Sequence, residues 1–384
     1  MERKLKIGTI HPDLGIGGAE RLIVDAAVEL ASLGHNVHVL TAHHDKNGCL
    51  EETVAVKVKY WTFFIKNLSA QKVMIVALVY GSFLPLHIFY RLHVVSAYLQ
   101  CIFVALCVLF LWPSFDVILA HQVSVVIPLL KLKKSMKVVF YCHFPDLLLA
   151  QHTTVLQRLY RKPIDFIEEI TTGMADMILV NSKFTASMFT NTFKHLHARE
   201  IQPAVLYPAV NMDQFDVPHS YNSSESYSYL FHVEKNIELT VSAFARLHTL
   251  AEHALQSQSL TEATLTIAGG YDNRLRENVE YLMEPRRLAE RERVSHRVNF
   301  ITSCSTAERN KLLSQCLMNT LEAVAAHKPV IACNSGGPVE TVKDGETGFL
   351  CNPTPEEFSL AMAKLIQDPQ MASRMGGRGP EACC

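Results

Sequence analysis

The feature that most constrains this fold is a buried strand, a glycine-bearing turn and an amphipathic helix in direct succession at the start of the chain. Leu5–His11 reads as a strand, Gly15–Gly18 follows, and Ala19–Leu33 carries apolar residues at helical spacing until Gly34 stops it. Further strands are expected at Val37–Thr41, Phe115–Ala120, Lys137–Tyr141 and Asp176–Asn181, with helical stretches between them. This βαβ alternation specifies a parallel sheet covered by helices. A polar, Ser-rich stretch from Asn211 to Tyr229 interrupts it, after which the alternation resumes. Strands fall at Thr264–Ala268, Arg297–Ile301 and Pro329–Cys333, and helices at Asp272–Arg293 and Thr306–Cys316. A chain of 384 residues exceeds what one core serves. The expectation is therefore α/β with two Rossmann-like domains, residues 1–215 and 216–384, and a cleft between them.

Charge and cysteine usage exclude several classes. Lys and Arg total 36 against 37 for Asp and Glu, so there is no basic excess to neutralise phosphates, and nucleic acid is not an expected partner. The ten cysteines contain no CxxC pair, which points away from a disulfide framework or a zinc site. No HExxH or EF-hand pattern occurs, and no metal is expected.

The segment 73–112 carries Arg91 as its only charge and divides into Val73–Tyr90 and Val94–Trp112, each near the length that spans a bilayer. Sequence on both sides builds one sheet, so either no span or two in a hairpin are compatible. The readings are a lipid-embedded hairpin, helices in the headgroup layer, or a pair of buried helices in a globular core. In the first two the segment associates the first domain with a membrane.

Four places suit polar ligands. The loop His11–Glu20 leaves a strand for a helix, and Gly17 and Gly18 there let backbone N–H groups approach a phosphate at the positive helix end. A tight turn uses glycine for steric reasons alone, so both readings stay open. His143 lies just past the strand Lys137–Tyr141, where ligands of doubly wound sheets collect; the alternative is a structural histidine beneath the Pro145 turn. Gly269-Gly270 and Gly336-Gly337 repeat the strand–glycine–helix design in the second half, a pair suited to a pyrophosphate.

These blocks resemble the GT-B, family-4 glycosyltransferases, and within them the alpha-1,3/1,6-mannosyltransferases of the dolichol-linked oligosaccharide pathway. The resemblance rests on His11–Leu22 (HPDLGIGGAERL), Tyr141–Leu149 (YCHFPDLLL), Tyr160–Phe189 with PIDFIEEITTGMAD and VNSKFTA, Ala268–Asp272 (AGGYD), and Pro329–Leu350 (PVIACNSGGPVETVKDGETGFL). It implies retaining transfer of mannose from GDP-mannose to mannosylated GlcNAc2-diphosphodolichol, in alpha-1,3 and then alpha-1,6 linkage, during N-glycan precursor assembly. The implied place is the cytosolic face of the endoplasmic reticulum membrane. Other glycosyltransferases of the same pathway are implied as candidate partners, and no cofactor is implied. By position, Gly17 and Gly18 would face the donor phosphates and acceptor, and His143 would lie beside the transferred sugar. Lys235 matches the last lysine of the basic donor loop, and Glu322 the second glutamate of the E-x7-E pair, which holds the nucleotide ribose.

The sequence also departs from the family. Ser228–Lys235 lacks the arginine of the donor loop. The first glutamate of E-x7-E, with its strand and glycine loop, has no counterpart between Cys316 and Leu321. The second domain is therefore expected to be incomplete, and Met375–Pro380 is unlike the family's closing helix. Two competing readings follow: a membrane-associated variant that binds without catalysis, and an NAD-dependent oxidoreductase. The second lacks GxGxxG spacing and an acid ending the second strand.

Overall fold

Strand β1 (Lys6–Asp13) forms the centre of the first sheet. In this computed structural model the described residues are 3–15, 17–44, 59–60, 75–80, 83–84, 93–112, 114–149, 155–209, 228–230, 236–251, 258–269, 276–302 and 320–379. They divide into two compact units, Met1–Ala209 and Val210–Cys384.

In the first unit β1 pairs in parallel with β2 (Asn36–His43) on one side and β5 (Val117–His121) on the other. The sheet extends through β4 (Ile75–Val79) to β3 (Lys59–Tyr60), and through β6 (Lys137–Cys142) and β7 (Met177–Val180) to β8 (Ala204–Val205). Every pairing is parallel, so all carboxyl ends of the strands lie at one edge. The order reverses between β1 and β5, the switch point at which such sheets take ligands. Helix α1 (Gly18–Ser32) buries Ile23, Ala27 and Ala31 with Val37 and Val39.

The segment 73–112 differs from expectation. Ile75–Val79, inside the stretch expected as its first helix, is strand β4, hydrogen-bonded between β2 and β3. A parallel strand buried on both faces needs the same unbroken apolar run as a membrane helix, and composition does not separate the two. Of the two stretches expected as helices under all three readings, the first therefore holds a strand and the second the helix α2 (His93–Leu111). Val94–Leu111 has the length and composition of a span. Yet α2 is the crossover between β4 and β5 of the same sheet, and it buries Cys101, Val104, Ala105 and Val108 there. Lys133 Nζ closes its end by donating to the carbonyls of Val108 at 3.1 Å and Trp112 at 2.7 Å, where the helix dipole favours a cation.

The second unit holds a three-stranded parallel sheet in the order β11-β10-β9, with β9 at Ser228–Leu230, β10 at Thr264–Gly269 and β11 at Val298–Thr302. A separate parallel pair joins β12 (Val330–Cys333) and β13 (Gly348–Cys351). A doubly wound sheet of order 3-2-1-4-5-6 would place one more strand between β9 and β12. Among the described residues none stands there; 303–319, the stretch that follows β11, lie outside them. The expected helix Thr306–Cys316 also lies outside the described residues.

Candidate functional site

Three histidines meet at the switch point of the first sheet. His11 lies near the end of β1, His121 ends β5, and His143 follows β6. Imidazole centroids are 6.4 Å apart for His11 and His121 and 5.5 Å for His121 and His143. Tyr141 stacks on His121 at 5.5 Å, and its hydroxyl donates to the Leu206 carbonyl at 3.0 Å, which fixes the ring from β8.

Proton positions follow from the partners. His11 Nδ1 is 2.6 Å from the Asp13 carbonyl, which only accepts, so Nδ1 carries the hydrogen. His11 Nε2 is buried with no hydrogen-bond partner. His121 Nδ1 and His143 Nε2 are 3.4 Å apart. Burial, with the nearby His11 adding to it, holds the His143 imidazole down at about 4. His121 lies well below its ordinary range, through burial first and then His143 and His11. At neutral pH both are uncharged rings, and a neutral imidazole offers one donor and one acceptor to a sugar hydroxyl or a phosphate oxygen.

The glycine loop lies at the start of α1. Gly17 is its extended N-cap, and the Gly17 carbonyl accepts the Arg21 amide at 2.9 Å. A Cβ built on Gly17 would run into the Glu20 carboxylate, so an acidic side chain already covers the positive end of this helix. An anion approaching Gly17 and Gly18 has to displace Glu20, a flexible side chain.

In the second unit Gly269 ends β10, and Gly336 and Gly337 follow β12. Gly336 has φ of 75°, a left-handed conformation that favours glycine, and a Cβ on Gly337 would meet open space. Both positions are carboxyl ends of parallel strands. Glu322 lies on the helix Thr320–Ala325, and its side chain lies outside the described residues, as do Lys235 and Gly270. Among the described residues singled out in the sequence, His143 is the one placed in a cluster of ionisable groups. Its companions His11 and His121 were not singled out; the available signal was that each lies at the carboxyl end of a central strand.

Two family models match: Glycosyltransferase Family 4 over residues 16–214 and Glycosyl transferases group 1 over residues 226–382. Alpha-1,3/1,6-mannosyltransferase ALG2 of Mus musculus is 40% identical over 396 residues, covering 96% of this chain and 89% of the relative. The enzyme of the same name from Dictyostelium discoideum is 38% identical over 414 residues, covering 99% and 94%. Among solved structures, sucrose-phosphate synthase from Thermosynechococcus elongatus superposes with a TM-score of 0.71 at 18% identity, over 99% of this chain and 94% of that one. WaaG, a glycosyltransferase involved in lipopolysaccharide biosynthesis, superposes with a TM-score of 0.66 at 14% identity, over 98% and 94%. These structures share the GT-B fold with this chain.

Proposed function

The chain belongs to the alpha-1,3/1,6-mannosyltransferases of the family-4 glycosyltransferases, and we propose that it moves mannose from GDP-mannose to mannosylated GlcNAc2-diphosphodolichol. Transfer retains configuration and forms first the alpha-1,3 and then the alpha-1,6 linkage of the N-glycan precursor. The observation that carries this reading is identity of 38–40% with three such enzymes across both units.

The first unit takes the acceptor and the second the nucleotide sugar. His143, neutral at physiological pH, gives the sugar a hydrogen-bonding partner without a competing charge. Its Nε2 is engaged by His121, which leaves Nδ1 for the ligand. The left-handed Gly336 and the open Gly337, together with Lys235, supply backbone amides and charge for the pyrophosphate as it leaves. Glu322 holds the ribose.

A lipid-linked acceptor requires access to a bilayer. Helix α2 and, after the short α3 (Ile127–Leu130) and α4 (Asp146–Leu149), helix α5 (Val155–Thr172) both pack against the turn Ser124–Val126, so α2 and α5 share one side of the first sheet. They expose Leu99, Phe110 and Leu111 on α2, and Leu159, Phe166 and Ile170 on α5. Such a face suits the cytosolic leaflet of the endoplasmic reticulum.

The test is mannose transfer from labelled GDP-mannose to a mannosylated chitobiosyl-diphospholipid by the purified chain in lipid. A version with the donor-loop arginine and the segment between Cys316 and Leu321 restored is run beside it. Transfer by the chain as given supports the reading; transfer by the restored version alone makes this chain an inactive variant.

A further inference from the structure

Two adjacent glutamates near the end of α5 cap two different short helices. Glu168 Oε1 accepts the Asp146 amide at 2.9 Å and Oε2 the Leu147 amide at 3.3 Å, at the start of α4 (Asp146–Leu149). Glu169 Oε1 accepts the amides of His195 at 2.7 Å and Leu196 at 3.2 Å, at the start of the helix Lys194–Ala198. The two caps differ in what they hold. Helix α4 begins three residues after His143, so Glu168 fixes one end of the loop that carries the imidazole. Asn181 fixes the other end, its Nδ2 donating to the His143 carbonyl at 3.2 Å.

Arg161 completes the clamp. Its guanidinium, buried at 4% exposure, donates to Asp146 Oδ2 at 2.9 Å and forms an ion pair with Asp165 Oδ1 at 3.0 Å. Asp146 is thus held by its amide and its carboxylate at once. The charged and titratable groups facing Glu168 are Asp146 from α4, Arg161 from its own helix, Cys142 from β6 and Tyr98 from α2, and Asp165 pairs with Arg161.

Burial pushes the Glu168 carboxyl up to about 7, against the lowering effect of its two amide bonds and Arg161. A carboxyl raised above its unfolded value of 4.5 weakens the fold once ionised. A cap needed only for stability would be served as well by a neutral side chain. The ionised form is the one that accepts both amides.

We propose that Glu168 is a positioning residue for His143: its carboxylate sets the place from which the loop presents the imidazole to the transferred sugar. This role rests on the mannosyltransferase reading above.

The test uses the full chain in lipid and reads the loop without turnover. In Glu168→Gln, which keeps one acceptor oxygen, the Asp146 and Leu147 amides should exchange roughly tenfold faster. The His143 imidazole signal in 15N-histidine spectra should shift, with the thermal midpoint unchanged or raised. The wild-type His143 signal should also sense a titration near 7 that belongs to Glu168 and vanishes in the variant. Glu169→Gln, which loosens the other cap, should leave His143 alone. The proposal is overturned if folded Glu168→Gln exchanges and resonates like wild type, or if Glu169→Gln moves His143 equally. In mannose transfer the expected loss lies in kcat, with KM for GDP-mannose kept. A wild-type chain that transfers nothing overturns the functional reading alone, because the clamp is judged by exchange and spectra.

Discussion

His121 Nδ1 lies 3.4 Å from His143 Nε2, so one hydrogen sits between the two rings and they cannot both be protonated there without N–H facing N–H. His121 therefore fixes which nitrogen of His143 is left for a ligand. His121→Phe keeps a ring against Tyr141, now stacked at 5.5 Å, but removes the hydrogen bond. The expected outcome is a mixture of His143 tautomers in 15N spectra and a loss of transfer of about tenfold. A single unchanged tautomer would show that the surroundings other than His121 set it.

Acid sensitivity of the first unit follows from its buried histidines. Burial first, then the Lys6 charge, hold His38 down at about 4 from an ordinary 6.5, and His143 is held at about 4 as well. Between those values the unfolded chain binds protons that the folded chain refuses. Their stabilising contribution is full above 6.5 and is lost as pH falls through 4. Glu168 acts in the opposite sense, its contribution being present below 4.5 and lost as pH rises through about 7. Two histidines outweigh one carboxyl, so acidification destabilises. His38 packs edge-on against Trp112 and Phe115, so Phe keeps the ring contacts and gives up the hydrogen bond with the Asn36 backbone. His38→Phe should remove on the order of 3 kcal/mol of the acid-side loss, read from urea midpoints across that window.

Helix α2 separates packing from surface chemistry along one element. Val104 is fully buried in the core, whereas Phe110 is 81% exposed. Val104→Asp places an unpaired carboxylate in the core and should abolish cooperative unfolding of the first unit, with a penalty of several kcal/mol. Phe110→Glu should leave the thermal midpoint within about 1 °C and reduce co-flotation with anionic vesicles. Equal flotation of wild type and Phe110→Glu would place the membrane face elsewhere.

Most strands of the first sheet are legible in the sequence because each is an apolar run ended by a polar or glycine-bearing turn. Strand β4 is not, since its buried faces give the same unbroken run as a helix in lipid, and β3, of two residues, leaves no periodicity at all. His143 is legible from the motif around it and its place after a strand. His121 and Glu168 act through space on residues 22 positions away in the chain. Nothing in local spacing announces such contacts; they appear once parallel strands bring their carboxyl ends to one edge.

The β12–β13 pair depends on a close backbone approach. A Cβ on Gly348 would collide with the backbone carbonyl of Val330, its register partner. Backbone cannot yield as a side-chain tip does, so Gly348→Ala should separate the two strands. The expected result is a loss of roughly 2 kcal/mol or more from the second unit, with the first unit's transition unmoved. Unfolding followed by tryptophan emission serves as the internal control, since both tryptophans, Trp61 and Trp112, lie in the first unit.

Strands β9 and β12 each end their sheet among the described residues, at the point where a doubly wound order needs a fourth strand. A two-stranded parallel pair is marginal in water, and an edge with unpaired amides invites association. Restoring a strand and its glycine loop between Cys316 and Leu321 would join the two parts into one sheet and return a glutamate to the donor site. The restored chain should unfold in a later, sharper transition of the second unit, aggregate less on heating, and bind GDP-mannose more tightly than the chain as given. A gain in stability without a gain in GDP-mannose binding would separate the two roles, leaving the segment as scaffold and placing donor recognition on Gly336, Gly337 and the residues around them.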